Sequence, residues 1–210
     1  MGLRKPIYAV ITGDVVNSTR LTAFKAQTIL KELKKELSVY SASFYRGDSF
    51  QVFIKEPQKS LRIALICRAL AISRTEGDDV RSDVRVSIGI GKVQLPVKMP
   101  DVAQGEAFVL SGRKLDEIED TEQRMSIGSG HAIADIGFEV MANYLDSIYN
   151  KITSKQAIVL LNLLQGQTQQ DVALKLGKSK STISQLVSAG RWPETEKLLQ
   201  QFEMLINQLL

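Results

Sequence analysis

The chain has 210 residues, of which 44% are apolar and 24% charged, so it can bury a core and is not disordered by composition. Its net charge of +4 is uneven, because residues 151–191 hold six lysines and arginines against one acid, Asp171, which indicates a polyanionic partner. With one cysteine, Cys67, and one histidine, His131, the chain can form neither an internal disulfide nor a Cys/His zinc site.

The N-terminal two-thirds alternates strand and helix patterns. A continuous apolar run at residues 7–12 predicts a strand covered on both faces, and regular alternation at residues 84–90 predicts another. The predicted order is strand 7–12, helix 19–39, hairpin 42–54, helix 57–73, strand 84–90, helix 105–118 and strand 124–127. We therefore predict a ferredoxin-like α+β domain over residues 1–130, with helices on a mainly antiparallel sheet.

The rest of the chain is predicted to be all helical. Residues 131–151 form a connecting helix that leaves the α+β domain, and residues 152–210 form a helix-turn-helix domain. Thr153 with Gln156 and Thr168 with Asp171 have the spacing of capping boxes. Gly177 ends the second short helix, so that three short helices with tight turns form a compact module.

A last helix, from Pro193 to the end of the chain, carries an apolar stripe too wide for an exposed helix. The stripe comprises Leu198, Leu199, Phe202, Leu205, Ile206 and Leu209. This helix either packs on the three short helices or pairs with a second copy, and we expect a homodimer.

Two carboxylates follow glycines in the predicted α+β domain. Asp14 ends the first predicted strand, and Asp48 lies in the turn of the neighbouring hairpin. Carboxylates at adjacent strand ends, with the backbone of Val15 as a further ligand, suit Mg²⁺ or Mn²⁺ beside the phosphates of a nucleotide. The alternative is that each Asp caps local backbone amides, as Gly-Asp turns commonly do.

Four segments resemble class III nucleotidyl cyclases. DVVNST at residues 14–19 resembles their Asp-Ile-x-Gly-x-Thr motif, and RVSIGIG at residues 85–91 resembles their Arg-x-Gly-Ile-x-x-Gly strand. Residues 105–113 have the length of their late helix. GDSFQ at residues 47–51 is similar to the hairpin Gly-Asp-Glu-Phe-Gln of the SatD-like family of bacterial proteins, which the chain resembles more closely.

The cyclase resemblance implies a cyclase-like fold with a metal pair at Asp14 and Asp48. It also implies a phosphate contact at Arg113. The matching pattern has an asparagine for the ribose where this chain has Val109, and a lysine for the purine where it has Phe44. The resemblance therefore implies a degenerate cyclase-like domain that binds a metal or nucleotide without efficient cyclisation. Arg113 alternatively belongs to a solvated helix face with its charged neighbours.

The segment from residue 152 to 190 has helix-turn-helix spacing at Gln169, Ala173, Gly177 and Ile183. It resembles the helix-turn-helix of bacterial regulators and of the sigma-factor terminal region. In such modules the third helix enters the major groove of double-stranded DNA. The side chains predicted to contact DNA are Lys178, Lys180, Ser181, Thr182, Ser184 and Gln185. The alternative is a helix-turn-helix used only for packing or dimerisation.

Two functions follow from these patterns. The first is a DNA-binding transcriptional regulator with a degenerate cyclase-like sensing or dimerisation domain. The second is a metal-dependent, nucleotide-binding enzyme with an accessory helical domain. No apolar run approaches the roughly 20 residues of a membrane span, and residues 1–6 lack the apolar region of a signal peptide. We therefore expect no membrane partner and a location in the cytoplasm.

Overall fold

The computed structural model describes residues 6–18, 20–45, 47–75 and 80–209. The strands in this part of the chain are β1 (Tyr8–Val16), β2 (Ser41–Tyr45), β3 (Ser49–Ile54), β4 (Asp83–Gly91) and β5 (Met125–Gly128). The α-helices are α1 (Ala23–Leu37), α2 (Ser60–Ser73), α3 (Glu106–Glu117), α4 (Ala132–Tyr149), α5 (Ser154–Leu164), α6 (Gln169–Leu176), α7 (Lys180–Ala189) and α8 (Trp192–Leu209). Short 3₁₀ turns lie at Pro57–Lys59 and Pro100–Val102.

The strands form one sheet in the order β2-β3-β1-β4-β5. β1 pairs antiparallel with β3 and β4, and β2 pairs antiparallel with β3, whereas β4 and β5 run parallel. The predicted α+β class, the mainly antiparallel sheet and the order of its elements are confirmed.

The end of β1 and the start of α1 differ most from their predicted positions, each by four residues. β1 continues past residue 12 to Val16, because Val15 and Val16 still pair with β4 and are buried. α1 begins at Ala23, since the Thr22 side chain caps it by accepting a hydrogen bond from the amide of Lys25. Thr19, where the sequence predicts this helix to begin, lies outside the described residues. So does Arg46 in the hairpin turn.

The sheet separates two helical layers. α1, α2 and α4 bury their apolar faces in one core with alternate residues of the central strands, such as Ile11 and Val86. α3 crosses the opposite face, directly over Gly89 of β4. A Cβ at Gly89 would lie 2.1 Å from the carbonyl oxygen of Ala107, so only glycine lets α3 approach this closely.

α2 is buried along nearly its whole length. The sheet lies on one side of it, and α5 of the C-terminal helices packs on the other. The predicted core residues Leu61, Leu65 and Ile72 are buried, and so is Cys67.

The helix α4, predicted to leave the α+β domain, instead lies against β5 and contributes residues to the same core. The boundaries at 130 and 151 stay predictions, and the core is continuous across both.

A fully buried arginine, Arg68, joins four elements. Its guanidinium donates from α2 to both oxygens of Asp83 at the start of β4, at 3.2 and 2.9 Å. It also donates to Asp146 of α4 and to the side chain of Asn150. The second oxygen of Asp146 accepts from the amides of Arg124 and Met125, which fixes the start of β5. Burial of this arginine is possible because its donors meet acceptors on several sides.

The short C-terminal helices begin and end as their sequences predict. Both capping boxes form, with Thr153 bonded to Gln156 and Thr168 to Asp171 in both directions. The side chain of Ser179 caps α7. Gly177 takes a left-handed conformation with φ of 61°, which ends α6 and turns the chain into α7.

Candidate functional site

The face of the sheet that α3 covers has an apolar part, around Val10 and Phe53, and a polar part, around Thr12 and Asp14. Because successive strand residues alternate, Thr12 and Asp14 of β1 point to the α3 side together with their partners on β3 and β4. Near α3 this layer is hydrogen-bonded, since Thr12 donates to the hydroxyl of Ser111 at 2.8 Å and accepts from Gln51 at 3.1 Å. The Asp14 end of this polar layer is more open to solvent, since the Asp14 side chain is 23% exposed.

Asp14 lies within β1, between Ser49 of β3 and Arg85 of β4. The guanidinium Nη1 of Arg85 lies 3.3 Å from Asp14 Oδ2, and their side chains are 14% and 23% exposed. Burial raises the pKa of Asp14 above its ordinary value, the nearby charge of Arg85 lowers it, and the charge of Asp48 raises it again. The backbone bond between Val15 and Asp48 places the two acids at the same end of the sheet.

Asp48 sits in the β2–β3 turn and is held by the end of β1. Its carboxylate accepts hydrogen bonds from the hydroxyls of Ser18, at 2.6 Å, and Ser49, at 3.4 Å. Its backbone carbonyl accepts from the amide of Val15 at 3.2 Å. The hairpin turn is thereby tied to the strand that carries Asp14.

The side chains around Asp14 can be compared with the ligands that a divalent metal requires. Two partly exposed carboxylates are a minimal set for Mg²⁺, which accepts one or two together with phosphate and water oxygens. Arg85, however, already supplies a positive charge to Asp14, and Ser18 and Ser49 each donate a hydrogen bond to one oxygen of Asp48. No cluster of three or more His, Cys, Asp or Glu suited to a metal occurs among the described residues. Because each carboxylate oxygen has two lone pairs, a metal would share Asp48 with the two serines and would compete with Arg85 for Asp14.

Arg113 and Arg85 occupy different environments. Arg113 is exposed on α3, on the side of the helix turned away from the sheet-facing residues Phe108 and Ser111. Its predicted phosphate contact stays a prediction. Arg85 lies beside Asp14, and its Nε is buried without a hydrogen-bond partner among the described residues. Sequence reasoning missed Arg85 as a site residue, although it is the cation in the alternating β4 pattern that pairs with Asp14.

The C-terminal helices α5 to α8, which we call the head, contain the predicted helix-turn-helix. Val172, Ala173 and Ile183 are buried where α6 and α7 meet. The Lys178 amide donates back to the Ala173 carbonyl at 3.0 Å across the Gly177 turn. These contacts fix the angle between α6 and α7.

α7 presents a polar, cationic surface to solvent. Of its ten residues only Ile183 and Val187 are buried. The predicted DNA contacts Lys178, Lys180, Ser181, Ser184 and Gln185 are all exposed, and Thr182 is half-buried. The Lys180 ammonium is 3.5 Å from the side-chain oxygen of Gln170 at the start of α6, a neighbour that the sequence did not single out. The exposed groups therefore lie together at the α7 N-terminus.

The head is attached to the sheet domain by polar contacts as well as by the α2–α5 packing. Arg62 of α2 donates to the carbonyl of Leu164, at 3.3 Å, and Gln165 donates to Glu36 of α1, at 2.9 Å. Arg81 donates to the carbonyl of Ile152, at 3.0 Å. Both ends of α5 are therefore bonded to the sheet domain.

Comparison with known proteins supports the helix-turn-helix. Residues 160–205 match the helix-turn-helix family, from the last turn of α5 into α8. The predicted helix-turn-helix is confirmed, and the match supports a DNA-binding regulator. A search of curated protein sequences finds no match to this chain. The resemblance to the SatD-like family stays a prediction.

Among solved structures, the chain is distantly similar to cyclases, among them the following two. A bacterial light-regulated adenylyl cyclase aligns with 11% identity and a TM-score of 0.41, covering 60% of this chain and 77% of that chain. The dimeric guanylyl cyclase domain of the RhoGC fusion protein from the aquatic fungus Blastocladiella emersonii aligns with 12% identity and a TM-score of 0.37, covering 53% and 74%. Similarity at this level carries no information about activity. Within the described residues, no helix has the length and apolarity needed to cross a bilayer.

Proposed function

We propose that this protein is a DNA-binding transcriptional regulator whose sheet domain senses a ligand or supports dimerisation. The observation that carries the proposal is the solvent-exposed, cationic N-terminal half of α7 on a helix-turn-helix scaffold. α7 contains no acidic residue, so nothing on the helix itself opposes the approach of a phosphate backbone.

The proposed docking follows from the geometry of the head. α7 enters the major groove, and its N-terminal amides and the ammonium groups of Lys178 and Lys180 face phosphates. Ser181 and Ser184 extend the phosphate contacts, while Thr182 and Gln185 reach base edges. Two copies of the head would read two half-sites.

The proposal is tested by fluorescence anisotropy with a mixed-sequence DNA duplex over a range of salt concentrations. We expect binding that weakens steeply with salt, and Lys178→Ala and Lys180→Ala should each reduce the slope of log K against log salt by about 1. Lys31→Ala is the matched control, because Lys31 is an exposed lysine of α1 and should leave the slope unchanged. Absence of salt-dependent binding to any duplex at low salt would overturn the proposal.

For the sheet domain we propose a degenerate cyclase-like site around Asp14 and Asp48. Support comes from the backbone bond that ties the Asp48 turn to the strand of Asp14, and from the unpartnered Nε of Arg85, which suits an anionic ligand such as a nucleotide phosphate. Mg²⁺ or Mn²⁺ would neutralise the acids as the phosphate enters, with the Val15 backbone and Arg113 as further candidates for contact.

The alternative function is a metal-dependent enzyme acting on nucleotides at the same acids. The observation in its favour is that Asp14, at 23% exposure, lies at the solvent-accessible end of the polar layer, where a nucleotide could approach it. Incubation with ATP or GTP plus Mg²⁺ or Mn²⁺, followed by chromatography of the nucleotides, tests it. Formation of product that is lost in Asp14→Ala would support the enzyme, whereas an unchanged nucleotide pool would leave the sensing domain as the better account.

A further inference from the structure

An apolar surface lies on α4 and α8, away from the DNA-facing helix. On α4 the residues Ile133, Ile136, Val140 and Tyr144 recur at intervals of three and four, so they form one stripe along the helix. All four are exposed, and Ile133 is 89% exposed. Large apolar side chains arranged in such a stripe are unusual on a monomer surface.

α8 provides the second wall of this surface. Phe138 of α4 and Phe202 of α8 contact each other with ring centroids 5.5 Å apart and planes tilted by 51°, which holds the helices together. Above them a groove of about 680 Å³ opens between the helices, lined on the α8 side by Leu198, Met204 and Leu205. We call the α4 stripe and this groove together the α4–α8 surface.

The α4–α8 surface is large enough for a stable contact. Its five most exposed apolar side chains offer on the order of 600 Å², against roughly 800 Å² per partner in a standard protein interface. These five are Ile133, Ile136, Val140, Tyr144 and Met204. A further contribution from the groove walls brings the surface into the range of a dimer interface.

We propose that the α4–α8 surface binds the same surface of a second copy of this chain, around a two-fold axis. A face that meets its own copy must not carry a large net charge. Glu194 and Lys197 line the groove, Arg191 pairs with Glu194, and the exposed part of α4 adds Glu139 but no lysine or arginine, so the two acids and two cations balance. The uncharged polar groups of the groove are Gln201, Gln208 and Tyr144. This balance does not favour DNA or an anionic lipid surface, both of which select clusters of lysine and arginine.

Gly137 leaves room for the second copy. It lies in the groove, and a Cβ built there would meet no atom within 4 Å. The backbone of α4 is therefore open to close approach from outside, as at the glycines of tightly crossing helices.

The proposed interface connects directly to the DNA-facing helix. Arg191, in the turn between α7 and α8, donates to Glu194 at 3.0 Å and to the hydroxyl of Tyr144 at 2.5 Å. Its guanidinium also lies over the Tyr144 ring, 5.1 Å from the centroid. Pairing through α4 and α8 would thus fix the separation of the two α7 helices. The dimer itself does not depend on DNA binding.

Sedimentation velocity of the full chain, with no DNA present, tests the proposal. At tens of micromolar protein we expect twice the 23.3 kDa chain mass for the wild type. Gly137→Glu and Val140→Asp should each weaken dimerisation at least tenfold. Gly112→Glu is the matched control, because Gly112 is also within a helix and also has open space around it. Circular dichroism checks that each variant keeps its helix content.

Three outcomes would overturn the proposal. The first is a wild type that stays monomeric at tens of micromolar, and the second is a dimer that Gly137→Glu and Val140→Asp leave intact. The third is a dimer that Gly112→Glu disrupts as strongly as Gly137→Glu. Val140→Asp keeps the test decisive if Gly137→Glu unfolds, since the Val140 side chain is already in water and folding does not require its burial. Each outcome can occur whether or not the chain binds DNA, so the two proposals fail separately.

Discussion

At the scale of single residues, the stability of this protein depends on where a few charged side chains are buried. Arg68 has no exposed side-chain surface and bonds to Asp83 and Asp146 on two other elements. Asp14 and Arg85 form a partly exposed pair on the opposite face of the sheet. Ion pairs of the same chemical type therefore contribute differently to the stability of the fold, because solvent screens the Asp14–Arg85 pair and not the Arg68 pairs.

Replacing Arg68 should destabilise the fold strongly. Arg68→Met keeps much of the side-chain volume but leaves two buried carboxylates without their cation, so we expect a loss of about 3–5 kcal/mol in the free energy of unfolding. Arg74→Met is the control, since the Arg74–Glu32 pair is 41% and 30% exposed and should contribute below about 1 kcal/mol. Urea denaturation measures both. Equal effects of the two substitutions would contradict the role given to Arg68.

Asp14 should make stability depend on pH in an unusual direction. Because its pKa is raised in the folded state, the folded protein binds this proton more readily than the unfolded chain. Ionised Asp14 therefore destabilises the folded state at pH values above its raised pKa. This destabilisation disappears as the pH falls through that pKa toward the ordinary value of 3.8. Wild type should therefore gain stability relative to Asp14→Asn as the pH falls from neutral, through the raised pKa of Asp14, toward 3.8.

Asp171 gives the comparison for this pH dependence. Its hydrogen bonds to Thr168 lower its pKa, so its stabilising contribution is present above 3.8 and is lost only as the pH falls through its lower folded value. The stability difference between wild type and Asp171→Asn should stay constant from about pH 7 to pH 4.5. Urea denaturation at several pH values measures both differences. An Asp14→Asn difference that is equally flat would contradict the raised pKa.

At the scale of elements, the head depends on the conformation of one turn. α6 ends and α7 begins within three residues, and Gly177 supplies the left-handed backbone that this requires. The neighbouring caps at Thr168 and Ser179 satisfy amides at the starts of the same two helices. The orientation of α7 thus follows from local interactions and from the burial of Ile183.

Gly177→Ala should destabilise the protein by about 1–2 kcal/mol, because alanine is strained in the left-handed region. Gly177 and Gly112 both have open space where the methyl group of alanine would lie, so the comparison isolates backbone conformation from steric contact. Gly112→Ala, in the interior of α3, should be neutral or stabilising by up to about 1 kcal/mol. Thermal denaturation followed by circular dichroism measures both. A Gly177→Ala variant as stable as Gly112→Ala would contradict the role of the turn.

At the scale of the whole molecule, the sheet domain and the head share one core. α2 lies between the sheet and α5, and the buried residues of both parts form one continuous cluster. A ligand near Asp14 would act on a body to which the head is firmly attached. The shared core also makes separate unfolding of the two parts unfavourable, because separation exposes the apolar surface of α2.

The molecule should therefore unfold in a single cooperative transition. The one tryptophan, Trp192 at the start of α8, reports on the head, while far-ultraviolet circular dichroism reports on all elements. Urea titrations followed by the two signals should superimpose, with the same midpoint and slope. A tryptophan transition at lower urea would mean that the head unfolds alone and that the shared core does not couple the two parts.

The sequence by itself determined the local structure. Hydrophobic periodicity predicted the strands and helices in their correct order, and the capping boxes and Gly177 predicted the helix-turn-helix. These features depend on residues within a few positions of each other, whose spacing is visible in the chain. The exposed face of α7 followed from the same periodicity.

Only the tertiary structure decided which distant residues meet. Arg68 and Asp146 are 78 positions apart, and Asp14 and Arg85 are 71 apart, so no local pattern pairs them. The burial of α2 on both sides, the docking of α4 on β5 and the exposed α4–α8 surface likewise could not be predicted from the sequence. The physical reason is that a helix pattern shows how many apolar faces a segment has. Which neighbour covers each face is decided by how the whole chain packs.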